Sequence, residues 1–121
     1  MPKKILVVDD AETIVMMERM ILGKEYDVVV ARDGSEAVST AIKERPDLIL
    51  LDVIMPVVGG IEACRRLRET PETRDIPIIM VTTQSEIMDV EAGFESGCND
   101  YLTKPINGLE LITKVRSCIG E

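Results

Sequence analysis

Short aliphatic runs recur along the chain at Ile5–Val8, Val28–Ala31, Leu48–Leu51 and Ile78–Val81, and a weaker run, Tyr101-Leu102-Thr103, completes the series. These runs are continuous rather than alternating, which predicts strands buried on both faces, as in a parallel sheet. Between them lie helical patterns. Ile14, Met17 and Ile21 share one face, as do Val38, Ala41 and Ile42; the spacing repeats at Ile61, Cys64 and Leu67, at Ile87, Val90 and Phe94, and at Leu109, Ile112 and Ile119. Asp33-Gly34-Ser35-Glu36 and Asn107-Gly108-Leu109-Glu110 have the form of helix N-terminal caps. Pro46 and Pro77 stand just before strands, where they can stop the preceding segment.

The order is therefore βαβαβαβαβα, an α/β chain. Right-handed crossovers place helices on both faces of a doubly wound, five-stranded parallel sheet. The leading expectation is the flavodoxin-like strand order 2-1-3-4-5, with sites at the carboxyl ends of the strands near the first and third. A length of 121 residues suits one domain, 1–121, with no linker, repeat or low-complexity stretch. Aromatics are only 2% of the chain, so its core must be built from Ile, Val, Leu and Met.

Charge narrows the function. A formal charge of −8 opposes direct binding to nucleic acid or to an anionic membrane surface. Cys64, Cys98 and Cys118 are widely spaced, and a chain without histidine cannot build a Cys/His zinc site. Reduced thiols fit a reducing compartment. The apolar run after Met1-Pro2-Lys3-Lys4 is ended by Asp9-Asp10, too short for a signal peptide, and nothing approaches the ~18 residues of a membrane span. The expected location is the cytoplasm.

The strand ends carry the chemistry. The first strand ends in Asp9-Asp10, the third in Asp52, the fourth in Thr82 and the fifth in Lys104-Pro105. Neighbouring strands lie ~4.8 Å apart, so three carboxylates would crowd one spot and repel unless a cation intervenes. Hard carboxylate oxygens suit Mg²⁺, which also accepts water and a phosphate. Lys104 has the reach to cross the ~10 Å from the fifth strand to the third, and Thr82 offers a hydroxyl at shorter range. Such a set suits phosphoryl transfer, the cations offsetting phosphoryl charge while a carboxylate attacks in line. Singly, Asp10 could be a helix cap, Asp9 or Thr82 an ordinary strand end, and Lys104 a solvated lysine. Together these bland readings need five coincidences at one edge of one sheet.

Over essentially its whole length the chain resembles the receiver domain of two-component response regulators, in a form like the chemotaxis regulators. The resemblance rests on Ile5-Leu6-Val7-Val8-Asp9-Asp10, on Asp47-Leu48-Ile49-Leu50-Leu51-Asp52 with Met55-Pro56, on Val81-Thr82, and on Tyr101-Leu102-Thr103-Lys104-Pro105. It implies that Asp52 is the phosphoacceptor, charged from a sensor histidine kinase or phosphotransfer protein. Asp10 would bind Mg²⁺ directly, Asp9 would hold a metal-bound water, and the Ile54 backbone carbonyl would complete the set. Lys104 would contact the phosphoryl group, its bond to Pro105 being cis. Thr82 and Tyr101 would form the switch pair, signalling through the face of the fourth helix, fifth strand and fifth helix to a downstream protein. The resemblance implies a phosphoacceptor with self-phosphoryl transfer and autodephosphorylation only, not an enzyme with outside substrates, acting as a monomer or a weak phosphorylation-dependent dimer. Two departures stand out: Thr83 replaces a smaller residue, which narrows access to Asp52, and Gly59 replaces an acid often found before Gly60.

Rival readings fare worse. A haloacid-dehalogenase-like phosphohydrolase needs Asp-x-Asp after its first strand and usually a cap domain. A flavin binder needs a Ser/Thr/Gly-rich phosphate loop where this chain has Asp9-Asp10-Ala11-Glu12. A receiver cut from a longer regulator with an output domain stays open. Finally, Ile14-Val15-Met16-Met17 sweeps roughly 300° around a helix, so some apolar surface must be exposed beside Asp10, as a kinase-docking patch would require.

Overall fold

A computed structural model describes residues 2–55, 58–83 and 88–121, with the side chains of 88–91 left out. Its elements alternate: β1 (Lys4–Val8), α1 (Glu12–Leu22), β2 (Asp27–Ala31), α2 (Gly34–Glu44), β3 (Leu48–Asp52), α3 (Gly60–Glu69), β4 (Ile78–Thr82), α4 (Met88–Ser96), β5 (Asp100–Thr103) and α5 (Gly108–Ile119). All strand pairs are parallel, in the order β2-β1-β3-β4-β5. The doubly wound, flavodoxin-like sheet expected from the sequence is therefore present.

Each central strand divides its aliphatic run between two layers. Ile5, Val7, Leu48, Leu50, Ile79 and Leu102 meet Val15 and Leu22 of α1 and Leu111 and Val115 of α5. Leu6, Val8, Ile49, Leu51 and Met80 meet Ala37 and Ala41 of α2 and Ala63, Cys64 and Leu67 of α3. This is why the runs are continuous: side chains alternate faces, and both faces are covered. Caps set the helix starts as expected, the Asp33 carboxylate accepting from the Glu36 N–H and the Asn107 side chain from the Glu110 N–H.

Two helix faces differ from those read in the sequence. In α1 the buried stripe is Val15, Glu18 and Leu22, while Met17 is exposed and Ile14 and Ile21 are half-buried. In α5 it is Leu111 and Val115, with Leu109 on the surface. Both helices carry apolar residues at adjacent positions, so spacing alone admits more than one stripe, and docking on the sheet selects one. In α2, Ala37 and Ala41 are buried but Ile42 is exposed; in α3, Cys64 and Leu67 are buried as expected. Of the expected α4 face, Ile87 and the Val90 side chain lie outside the described residues, and Phe94 is exposed.

Candidate functional site

Parallel pairing brings the ends of β1 and β3 together, Val8 standing beside Leu51 and, on its other side, Ala31. Asp9 continues the ladder through its N–H to the Ala31 carbonyl at 3.2 Å, and Asp52 closes β3 beside Val81 of β4. The next residues leave the sheet, so the carboxylates stand on rigid strand ends beneath loops. Gly60 keeps the following loop close: a Cβ there would collide with the Asp52 carbonyl.

Asp9, Asp10 and Asp52 each present a carboxylate oxygen, and these atoms all lie within 4.8 Å of one another. Asp9 and Asp52 are buried, at 1% and 4% exposure, whereas Asp10 is open to solvent. Buried carboxylates this close repel strongly in the absence of a cation. Lys104 supplies one from across the sheet, its Nζ 3.2 Å from Asp52 Oδ1 and 3.4 Å from Asp9 Oδ2. Burial alone would pull its ammonium down; Asp52 and then Asp9 outweigh that and hold it above the usual lysine value. Lys104 thus stays cationic throughout the neutral range. Asp9 is fixed further by the Ala11 N–H, which donates to its Oδ1 at 2.9 Å. One ammonium leaves three carboxylates under-compensated, and an all-oxygen donor set with one open edge is of the kind a hydrated Mg²⁺ accepts.

The other expected residues surround this cluster. The Lys104–Pro105 peptide is cis. Thr82 ends β4 beside Thr103 of β5, is buried, and donates from Oγ1 to the Thr83 carbonyl at 3.3 Å. Tyr101 is half-buried on β5, its ring edge-on to Phe94 with centroids 6.1 Å apart and Lys114 Nζ 5.0 Å from its centre. The Ile54 side chain is exposed two residues past Asp52, and Pro56 lies outside the described residues.

One buried acid was not read from the sequence. Glu18 of α1 is 1% exposed, and its Oε1 has no hydrogen-bond partner among the described residues. Burial first, then the Asp9 carboxylate, push it up from 4.5 to about 8; Lys104 opposes this and Asp52 adds to it. The signal was its spacing, three residues after Val15 and four before Leu22, which puts it on the buried stripe. Beside it, the outer face of α1 forms an apolar groove of about 410 Å³ lined by Thr13, Met16, Met17, Met20 and Ile21.

Known proteins resemble this chain in sequence and fold. The family model for the response regulator receiver domain matches residues 5–116. The alkaline phosphatase synthesis transcriptional regulatory protein PhoP of Bacillus subtilis is 44% identical over 120 residues, which are 98% of this chain and 49% of that protein. The chain spans about half or less of the length of the curated relatives it matches. Among solved structures, the receiver domain of the sensor histidine kinase PA1611 from Pseudomonas aeruginosa, with magnesium coordinated in its active-site cleft, superposes with a TM-score of 0.92 at 34% identity, and both chains are covered completely. The chemotaxis protein CheY4 of Vibrio cholerae gives 0.91 at 34% identity, over 98% of this chain and 99% of that one. With the strand order, the carboxylates at two adjacent strand ends and the lysine that bridges them, these matches establish that the chain belongs to the response regulator receiver domain family.

Proposed function

We propose that this chain, as a single receiver domain over residues 1–121, is a phosphorylation-driven switch that accepts a phosphoryl group on Asp52. The observation that carries this reading is the Asp9–Asp10–Asp52 cluster bridged by Lys104. Asp10, Asp52 and the Ile54 carbonyl would hold Mg²⁺, with Asp9 steadying it through a water. When bound, the ion offsets charge on the carboxylates and on the incoming phosphoryl oxygens. A carboxylate oxygen of Asp52 attacks phosphorus in line, and the P–N bond of a phosphohistidine on a sensor kinase or phosphotransfer protein breaks. Lys104 already points at Asp52 and needs only a small movement to meet the new oxygens.

Output follows from the neighbours. The Thr82 hydroxyl moves toward the phosphoryl group, and Tyr101 turns into the space released, changing the face of α4, β5 and α5 for a downstream protein. A chain with a formal charge of −8 suits a protein reader rather than DNA. The family consists of signalling domains, and nothing here requires turnover of outside substrates. A second reading has its own support. The curated relatives carry as much chain again or more beyond the matched region, so this receiver could equally act as the regulatory part of a regulator with an output domain.

A small phosphodonor with Mg²⁺ should add one phosphoryl group, seen as a base-labile increment in intact mass. Asp52→Asn should abolish the adduct. Labelling of Asp52→Asn as fast as wild type would remove Asp52 from its role.

A further inference from the structure

Glu18 belongs to the same side of the sheet as the proposed phosphorylation site. In β1, Ile5 and Val7 face the α1–α5 layer and Asp9 is next in that alternation; in β3, Leu48 and Leu50 precede Asp52 in the same way; in β5, Leu102 precedes Lys104. Glu18 enters this layer from α1 between Val15 and Leu22, both fully buried. A carboxyl group shut among aliphatic side chains with an unpartnered oxygen cannot carry its charge without a nearby cation or a proton. Its charged neighbours are Asp9 from the end of β1, Asp52 from β3 and Lys104 from the segment after β5. Lys104, the cation among them, is already shared between Asp52 and Asp9. From α5 the packing residues are Leu111 and Val115, and from β2 the half-buried Val28 and Val30. The other ionisable groups of the layer are Tyr26, whose hydroxyl donates to Glu121 at 2.7 Å, and the Cys118 thiol, which burial holds above its ordinary value.

We propose that Glu18 holds a proton while the carboxylate cluster is empty of cation and releases it to solvent when Mg²⁺ is bound there, so that cation loading of the switch is linked to pH. This rests on the Mg²⁺ reading of Asp9, Asp10 and Asp52. Its physical basis is charge: three carboxylates against one ammonium disfavour a fourth anion nearby, and two added positive charges reverse that sign. The linkage is reciprocal, because whatever Mg²⁺ does to the Glu18 proton, loss of the proton does to Mg²⁺ affinity. Resting protonation is consistent with Glu18 titrating near 8 without metal. A fall of about one unit on cation binding, the small end of the range for a nearby charge, would release roughly half a proton per ion at pH 7.5.

Calorimetric titration with MgCl₂ in two buffers of different ionisation enthalpy counts the protons released by wild type and by Glu18→Gln. Wild type should release a fraction of a proton at pH 7.5 and bind Mg²⁺ up to about tenfold more tightly above pH 8.5 than below 6.5. Glu18→Gln should release none through this route and match the weaker, low-pH wild-type affinity at every pH. Infrared spectra of wild type alone give a second measurement: a protonated-acid carbonyl band at pH 7 that fades when Mg²⁺ is added. Saturable Mg²⁺ binding with the same proton count and pH profile in both proteins would overturn the role of Glu18 and leave the metal site standing. Absence of a Mg²⁺-sensitive acid band in wild type would do the same even if Glu18→Gln failed to fold. No saturable binding to either protein would overturn both readings.

Discussion

At the scale of single residues, the site is a conflict of charge held in place by the fold. Asp9 and Asp52 are buried beside each other, Asp10 adds a third carboxylate, and Lys104 meets two of the three. Removing one negative charge should relieve this conflict when no metal is present. Asp10→Asn is therefore expected to melt higher than wild type in chelator, by roughly 2–4 °C for a domain of this size, yet to gain less from millimolar Mg²⁺. Thermal melts with and without Mg²⁺ check this, and a wild-type melt indifferent to Mg²⁺ would contradict it. Glu18 makes a separate prediction about pH. Its native value of about 8 lies above the 4.5 of an ordinary glutamate, so between these limits the native state holds a proton that the unfolded chain has released. Stability in chelator should therefore fall as pH rises from 4.5 to 8 and level off above, a loss on the order of a few kcal/mol. Glu18→Gln should flatten this slope, which denaturant titrations at pH 5.5 and 8 would reveal as an advantage over wild type that is larger at the higher pH.

At the scale of elements, α1 presents a buried face to the sheet and an exposed apolar face to solvent. Val15 and Leu22 anchor it to the sheet, whereas Met16, Met17 and Met20 are 54%, 39% and 74% exposed and line an apolar groove. Adaptable thioether side chains on an open apolar surface suit a partner helix delivering a phosphoryl group. Met16→Asp should slow transfer from a cognate kinase by about tenfold, as an unpaired charge in an apolar contact would, and leave small-donor labelling intact. The sequence alone made Val15 look an equal candidate for this test, but it is fully buried, so Val15→Asp would unfold the domain. A different element holds the opposite edge of the sheet. Arg68 of α3 donates from Nε to the Gly97 carbonyl at 2.9 Å, and from its terminal nitrogens to Ile76 O at 2.7 Å and Asn99 Oδ1 at 2.9 Å. It ties the approaches to β4 and β5 together, fixing the strands that carry Thr82 and Tyr101. Nothing in the spacing of a surface-type helix marks Arg68 for this.

At the scale of the molecule, the proposed switch would carry a signal from the β3 end to the far edge of the sheet. Thr82 stands one strand from Asp52 and Tyr101 two, with Phe94 of α4 and Lys114 of α5 against the Tyr101 ring. A partner can read phosphorylation only by binding the two states unequally. Thr82→Ala should accept phosphate as wild type does while losing most of that discrimination, measured as the ratio of partner affinities for the phosphorylated and unphosphorylated forms. A ratio unchanged by Thr82→Ala would place the coupling elsewhere. The sequence determined the alternation of elements and the parallel sheet, because continuous aliphatic runs can be satisfied only by strands covered on both faces; it made the order 2-1-3-4-5 the leading expectation, and the structure decided it. It also placed Asp9, Asp10, Asp52, Thr82 and Lys104 at one edge, since each directly follows or ends such a run. It did not determine which stripe of α1 or α5 docks, because adjacent apolar residues make several faces nearly equivalent and only packing against the sheet separates them. For the same reason it concealed Glu18. A glutamate on a helix is ordinarily solvated, and tertiary structure alone, by turning the stripe of Val15 and Leu22 inward, buried this one against the sheet.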